Sequence, residues 1–281
     1  MNTTDSLQSP TAYPTLKQSW ILLGITLLIT LAFMIIVLLI NLVLMALDLS
    51  ELGQMLITGS LSKLVLYTLP FVVVLLIAFG KKRKFEPTFQ LRWNFVSPTP
   101  FFLITLITLL IYFLVDPLIE LIPMPRFFER LILEVLGDRS LPAIIMLVVA
   151  APLCEELLFR GIILDGLYKH YSPVKAIVWS AVFFGLVHLN PWQFIAALAL
   201  GIFMGWIYTQ TRSILTTIYI HFLANATGFI LGLFLVPESN NMVPTRDLIG
   251  NDLLYLGLLG VDLIVLIFAV VSLNTYFQKQ K

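Results

Sequence analysis

The sequence predicts an all-α, polytopic membrane protein: about eight transmembrane helices in one bundle, with an interfacial amphipathic helix before span four. Three observations lead there. Hydrophobic residues make up 59% of the 281 and charged residues only 12%, about half the charged share of a soluble domain. The mean hydropathy of +0.97 excludes a soluble globular protein. The apolar residues are also gathered into runs of spanning length, separated by short polar breaks.

Taken in order, residues 1–19 are polar and read as a disordered tail without the basic start of a signal peptide. Trp20–Leu47 is the first span and Asp48–Ser60 a polar break. Leu61–Gly80 is the second span, kinked at Pro70, and it ends at the basic run Lys81–Lys84. After a loop closed by Ser97, Pro98 and Pro100, Phe101–Leu121 is the third. Pro123–Arg139 is amphipathic and suits an interfacial helix. The fourth span is Leu141–Asp165, with helix extending towards His170, and the fifth runs from Ser172–Pro173 to Leu189. Asn190–Pro191 turns the chain into the sixth, Trp192–Thr209. Thr211–Ser213 leads into the seventh, which ends at Leu235. A polar loop, Pro237–Asn251, precedes the eighth, Leu253–Phe277. The chain thus divides into a tail (1–19), spans one to three (20–140), a core of spans four to seven (141–235), and a loop with the last span (236–281).

Charge orients the bundle. With the N-terminus in the cytoplasm, Lys17, Lys81–Lys84, Arg92, Lys169, Lys175, Arg212, Lys279 and Lys281 fall inside. Only Lys63, Arg126, Arg130, Arg139 and Arg246 fall outside, so the bias puts both termini in the cytoplasm. The run Lys81–Lys84 reads as a topology anchor. The net charge of +1 predicts no nucleic-acid partner. The single cysteine, Cys154, excludes an internal disulfide framework and reads as a small packing residue.

The stretch Pro152–Gly161 stands apart, because Glu155, Glu156 and Arg160 interrupt an otherwise lipid-compatible run. Each central charge costs about 2.5–3.5 kcal/mol on an insertion scale, so the trio would cost roughly 8–10. Helix formation needs none of them. Glu156 and Arg160, four apart, share a face and can pair, whereas Glu155 points about 100° away. A buried Glu–Arg clamp is the bland reading and an active centre the sharp one.

Three histidines are present: His170, His188 and His221. His170 falls in a loop and reads as solvated. His188 follows Phe184 by four and His221 precedes Asn225 by four, each pair on one helix face within an apolar span. Either could be a helix–helix hydrogen bond. Depth favours more: Glu155 and His188 each lie 15 residues, about 22 Å, from the turn at 170–173. His221 is only 9 residues past Arg212, about 13 Å by the same rise, so its helix must start deeper or tilt.

The ordered set Glu155-Glu156-x-x-x-Arg160, Phe184-x-x-x-His188 and His221-x-x-x-Asn225 resembles the three-motif signature of the CPBP family, the type II CAAX prenyl endopeptidases and bacteriocin-processing and immunity (Abi) proteins. The match covers Leu141–Leu235, about a third of the chain. The resemblance implies an intramembrane endopeptidase acting on a membrane-associated peptide or protein substrate in the lipid bilayer, in a bacterial cell membrane. It implies that Glu155 activates water with help from His188, and that His221 and Asn225 stabilise the oxyanion. Glu156, Arg160 and Phe184 would support them. Buried donors and a desolvated carboxylate suit those roles.

A metal stays open at this point. Glu155, His188 and His221 could make a zinc site with an open water position. The absence of H-E-x-x-H and the poor ligand Asn225 weigh slightly towards none. Other chemistries fit less well. Leu164-Asp165-Gly166 reads as a loop turn rather than a metalloprotease element, Asp116–Pro117 as a helix break, and Asp262 lacks the flanking pattern of an aspartyl site. Gly201-x-x-x-Gly205 and Gly228-x-x-x-Gly232 read as packing seams. A non-catalytic immunity or scaffold protein is the competing function, and a transporter with a Glu/His proton relay a more distant one.

Overall fold

The computed structural model describes residues 12–235 and 243–280. Its helices, in chain order, are α1 (Leu16–Ala46), α2 (Ser50–Thr58), α3 (Ser60–Phe85), α4 (Pro98–Glu120) and α5 (Arg126–Gly137). They continue with α6 (Leu141–His170), α7 (Pro173–Leu186), α8 (Pro191–Thr211), α9 (Ile214–Leu235), α10 (Thr245–Ile249) and α11 (Asp252–Lys279). Local chemistry sets several starts. Thr15 and Gln18 form a reciprocal capping box at α1. Asn190 accepts from the Gln193 amide at 2.8 Å, and Pro191 follows it as the first residue of α8.

Among the described residues, seven helices are long and apolar enough to cross a membrane: α1, α3, α4, α6, α8, α9 and α11. The helix expected as the fifth span is α7, with only 14 residues. That is about 21 Å of rise, against a hydrocarbon core of roughly 30 Å. One face of this short helix packs into the bundle, where Ala176, Ala181 and Phe183 are fully buried, while Val174 and Val178 on the other are exposed. On the outer helices, Leu28, Met34 and Phe268 are 66%, 66% and 74% exposed, apolar surface that a bilayer must cover.

The core lies where α6 meets α7, α8 and α9. Phe159, Ile162, Ile163 and Leu164 of α6 are fully buried with Phe183, Met204, Ile207 and Ile220. The expected seam at Gly201 and Gly205 does bring α8 against α7. A Cβ on Gly201 would lie 3.2 Å from Ala181 Cα, and one on Gly205 would lie 3.0 Å from Ile177 Cγ2. Gly228 does the same against Tyr112 of α4, at 3.0 Å from its hydroxyl.

Several expectations change. Part of the polar break Asp48–Ser60 is the short helix α2. Asp116–Pro117 does not break α4, which continues to Glu120. The amphipathic stretch before span four is the helix α5, tied to the start of α3 by Lys63–Glu134 at 3.0 Å and Ser60–Asp138 at 2.8 Å. Residues 236–242 of the loop before α11 and residues 1–11 of the tail lie outside the described residues. The rest of that tail is structured rather than disordered: α1 already begins at Leu16, and Tyr13 is buried.

The largest correction concerns Lys82 and Asp165. The run Lys81–Lys84 continues α3, and Lys82 is fully buried within it. Its Nζ reaches Asp165 Oδ2 and Glu86 Oε1, both at 2.7 Å, and donates to the Tyr13 carbonyl at 2.5 Å. Leu164-Asp165-Gly166 is helix rather than turn. Asp165, with 3% of its side chain exposed, also pairs with Lys169 at 2.7 Å and with Arg212. Gly166 is required because a Cβ there would stand 2.3 Å from Pro14. His170, expected in solvent, contacts the Ala12 carbonyl instead. A buried lysine is tolerable only with its charge matched, and this cluster supplies the match.

Two outcomes follow for stability. Asp165→Asn leaves Lys82 and Arg212 without their shared carboxylate. Breaking a buried pair costs about 3–5 kcal/mol, so the melting temperature in detergent should fall by on the order of 10 °C. Burial pushes the Glu86 carboxyl up, but hydrogen bonds from Lys169 and Lys82 outweigh it and hold the group below its ordinary 4.5. Its contribution is therefore complete above that value and lost as pH falls through the lower folded one. Melting temperature should be flat from about pH 7 to 5 and should decline below about pH 4. A steady decline beginning near pH 6 would contradict this account.

Candidate active site

The centre of α6 is unusual in its winding. Ala151–Glu156 is α-helical, but Ile145–Ala150 before it and Leu157–Leu164 after it are π-wound. Wide π turns inside α-helices are rare and concentrate at functional sites. Pro152 supplies a local reason for the first: it has no N–H, and its ring would crowd the carbonyl of Val148 in a regular helix.

Glu156 and Arg160 do pair, as their spacing predicts. Arg160 Nη1 donates to Glu156 Oε1 at 2.7 Å with both side chains fully buried. Arg160 Nη2 reaches the Gly201 carbonyl at 3.2 Å, and the guanidinium lies over the Phe184 ring, 4.5 Å from its centroid. Gly201 is needed here twice, because its Cβ would also stand 3.3 Å from Arg160 Nη2.

His221 joins this network through a contact that sequence did not suggest. Its Nδ1 lies 3.0 Å from Glu156 Oε1, the oxygen that Arg160 also holds. A carboxylate only accepts, so His221 donates from Nδ1 and turns Nε2 the other way. Nε2 faces Glu155 Oε2 at 3.8 Å. The two carboxylates thus flank one imidazole from opposite sides.

The depth puzzle resolves through the Asp165–Arg212 ion pair. From that pair, Glu155 lies ten residues up α6 (165 − 155) and His221 nine along α9 (221 − 212). The two therefore come level. α6 simply continues past the start of α9 to His170, so the turn at 170–173 was the wrong yardstick for α9.

Phe184 spaces the two histidines. Its ring meets His221 and His188 edge-on, both at 5.3 Å between centroids. His188 sits just beyond α7, with Nδ1 bonded to the Phe184 carbonyl at 2.9 Å and its own carbonyl accepting from Asn190. That leaves its Nε2 for other partners. Asn225 donates to the Leu147 carbonyl at 2.8 Å, a group within the first π segment, and one amide hydrogen remains.

His188, His221 and Asn225 line one cavity of about 230 Å³, together with Phe184 and residues of α4 and α8. Glu155 is not on its wall; it lies behind His221, 5% exposed. Sequence reasoning missed three contributors. Asp116, dismissed as part of a break, lines the cavity, as does Gln193. Tyr67 of α3 donates its hydroxyl to Glu155 Oε1. Asp116 carried a findable signal, a carboxylate in an apolar run; Tyr67 carried none. Asp262, on α11, is not on the wall. Cys154 is buried beside Glu155, as a packing residue would be.

Among the described residues no three His, Cys, Asp or Glu side chains are assembled as a metal-binding group. Glu155, His188 and His221 are therefore not arranged as a three-ligand set, and His221 Nδ1 already bonds Glu156.

Comparison with known proteins comes from two sides. Residues 137–227 match the family model described as type II CAAX prenyl endopeptidase Rce1-like. A curated relative, "Putative membrane peptidase YdiL" of Bacillus subtilis (strain 168), is 31% identical over 97 residues, 34% of this chain and 39% of the relative. The chain thus aligns with about two fifths of that relative's length. No solved structure matches significantly.

The two glutamates should separate by stability. Glu156→Gln leaves Arg160 buried without an anion, at about 3–5 kcal/mol. Glu155→Gln keeps an oxygen that can accept from Tyr67 and should melt close to wild type. Asn225→Ala loses one hydrogen bond, about 1 kcal/mol. Thermal melts of the three detergent-solubilised variants give the order; equal losses at 155 and 156 would contradict it.

Proposed function

We propose that the chain is a CPBP-type intramembrane endopeptidase hydrolysing a membrane-associated peptide or protein, a reading supported by the Rce1-like match of residues 137–227. The observation that carries this reading is the placement of His188, His221 and Asn225 on one cavity, with Glu155 directly behind His221. Spans used only for packing have no need to gather three polar groups on one cavity with a carboxylate behind them.

The proposed reaction uses water alone. Glu155 takes a proton from a water held with the help of His188 Nε2, and the resulting hydroxide attacks the scissile carbonyl carbon. The carbonyl electrons move onto oxygen. That oxyanion receives hydrogen bonds from the remaining Asn225 amide hydrogen and from His221 Nε2 in its protonated form. Collapse breaks the C–N bond, and Glu155 returns its proton to the leaving amine. Donors fixed in a dry site stabilise such charge far better than water does. Glu156 and Arg160 orient His221 rather than react, as a carboxylate orients the histidine in a hydrolase triad. The lysine-rich end, with Lys82, Lys169 and Arg212, faces the cytoplasm in this reading.

Two experiments test it. Mapping new termini of membrane proteins in cells with wild-type or Glu155→Gln protein should reveal at least one terminus that the variant no longer produces. Removing a general base costs about 10²–10⁴ in rate, so its substrate should accumulate uncleaved. An identical set of termini would leave the non-catalytic scaffold as the better reading. Reporter fusions after Arg212 and Lys279 should be cytoplasmic and one near Pro244 external; the reverse pattern would overturn the orientation.

A further inference from the structure

We infer that Tyr67 is a positioning residue for Glu155, supplied by a helix outside the family-matched segment. The inference rests on the proposed role of Glu155 as the base and adds a residue that the Rce1-like match, confined to 137–227, does not assign.

The geometry is specific. Glu155 is 95% shielded, in an environment where a free carboxylate could swing between rotamers without a partner to stop it. One oxygen, Oε1, accepts the Tyr67 hydroxyl. The other, Oε2, has no hydrogen-bond partner among the described residues and faces His221 Nε2 at 3.8 Å. Tyr67 thus fixes which oxygen is occupied and which one is turned towards the imidazole that lines the cavity. Only Oε2 is then free to take a proton from water. A base held in one orientation avoids the reorganisation that would otherwise precede each turnover.

Tyr67 is itself held. Its ring packs on Phe71, one turn along α3, with centroids 5.3 Å apart. Fifteen residues further on (82 − 67), Lys82 ties the same helix to Asp165 of α6 at 2.7 Å. α3 therefore touches α6 at two levels, once through an ion pair at the bundle end and once through the base. A hydroxyl donor suits the task because it neutralises nothing. A lysine there would form an ion pair with Glu155 and quench its basicity, whereas a phenol orients the carboxylate and leaves its charge in place.

The test uses full-length protein reconstituted in liposomes with the membrane protein whose cleavage disappears in the Glu155→Gln cells. Tyr67→Phe should lower kcat about 10- to 100-fold, the value of one hydrogen bond to a charged group, with KM and melting temperature unchanged. Combined with Glu155→Gln it should add no more than twofold to the loss, since no base remains to be oriented. Replacing Tyr67 by 4-aminophenylalanine, which keeps a donor at the same place, should restore most of the rate. If Tyr67→Phe loses its fold, 4-methylphenylalanine refills the hydroxyl volume without a donor and takes its place. Full kcat in the donor-less variant, a loss that multiplies with Glu155→Gln, or failure of 4-aminophenylalanine to rescue would each overturn the role of Tyr67 while leaving the peptidase intact. Cleavage that survives Glu155→Gln would instead overturn the peptidase reading, and the Tyr67 role with it.

Discussion

The buried ion pair between Glu156 and Arg160 is the constraint on which the site depends. Two charges in a low-dielectric interior repay their desolvation only with close geometry and further hydrogen bonds. Here Arg160 Nη2 donates to the Gly201 carbonyl and the guanidinium face lies on the Phe184 ring, while Nε has no hydrogen-bond partner among the described residues. Glu156 accepts from His221 with the same oxygen that holds Arg160. One pair thus connects α6, α7, α8 and α9. The side chains that satisfy it are the neighbours or members of the group around the cavity, so the electrostatic need of Glu156 and Arg160 and the orientation of His221 are a single requirement.

A second charge cluster sets the register of those helices. Asp165 is met by Lys82 from α3, Lys169 from its own helix and Arg212 at the start of α9. Because helices are stiff along their axes, fixing their ends at this point brings Glu155 and His221 level some ten residues away. The N-terminal residues Ala12–Leu16 complete the same cluster, with the Tyr13 amide donating to Glu86 and the Tyr13 carbonyl accepting from Lys82. A segment that looks like an unstructured tail is therefore part of what aligns the core.

The winding of α6 links backbone to chemistry. Two π segments bracket the α-helical turn that carries both glutamates. The first also contains Leu147, whose carbonyl receives Asn225. Asn225 is thereby fixed to the helix that bears Glu155 rather than left free to rotate. The short helix α7 acts similarly: by ending at Leu186 it puts His188 just past its terminus, on the cavity wall.

Sequence by itself determined the class of fold, because apolar runs of spanning length admit no other way to satisfy backbone hydrogen bonds in lipid. It also determined the Glu156–Arg160 pairing and the Gly201–Gly205 seam, since i to i+4 spacing fixes a helix face; that His188, His221 and Asn225 belong to one site was implied by the family resemblance of the ordered motifs, with the depth of His221 left open. Only the tertiary structure decided the rest. Lys82 and Asp165 read as an anchor and a turn because each, seen alone, lacks the partner that makes burial affordable. Tyr67 is indistinguishable in sequence from any tyrosine of an apolar helix, as its meaning comes from a residue 88 positions away. Helix phase is local, whereas the pairing of charges across helices depends on packing, and packing is what the linear order of residues does not carry.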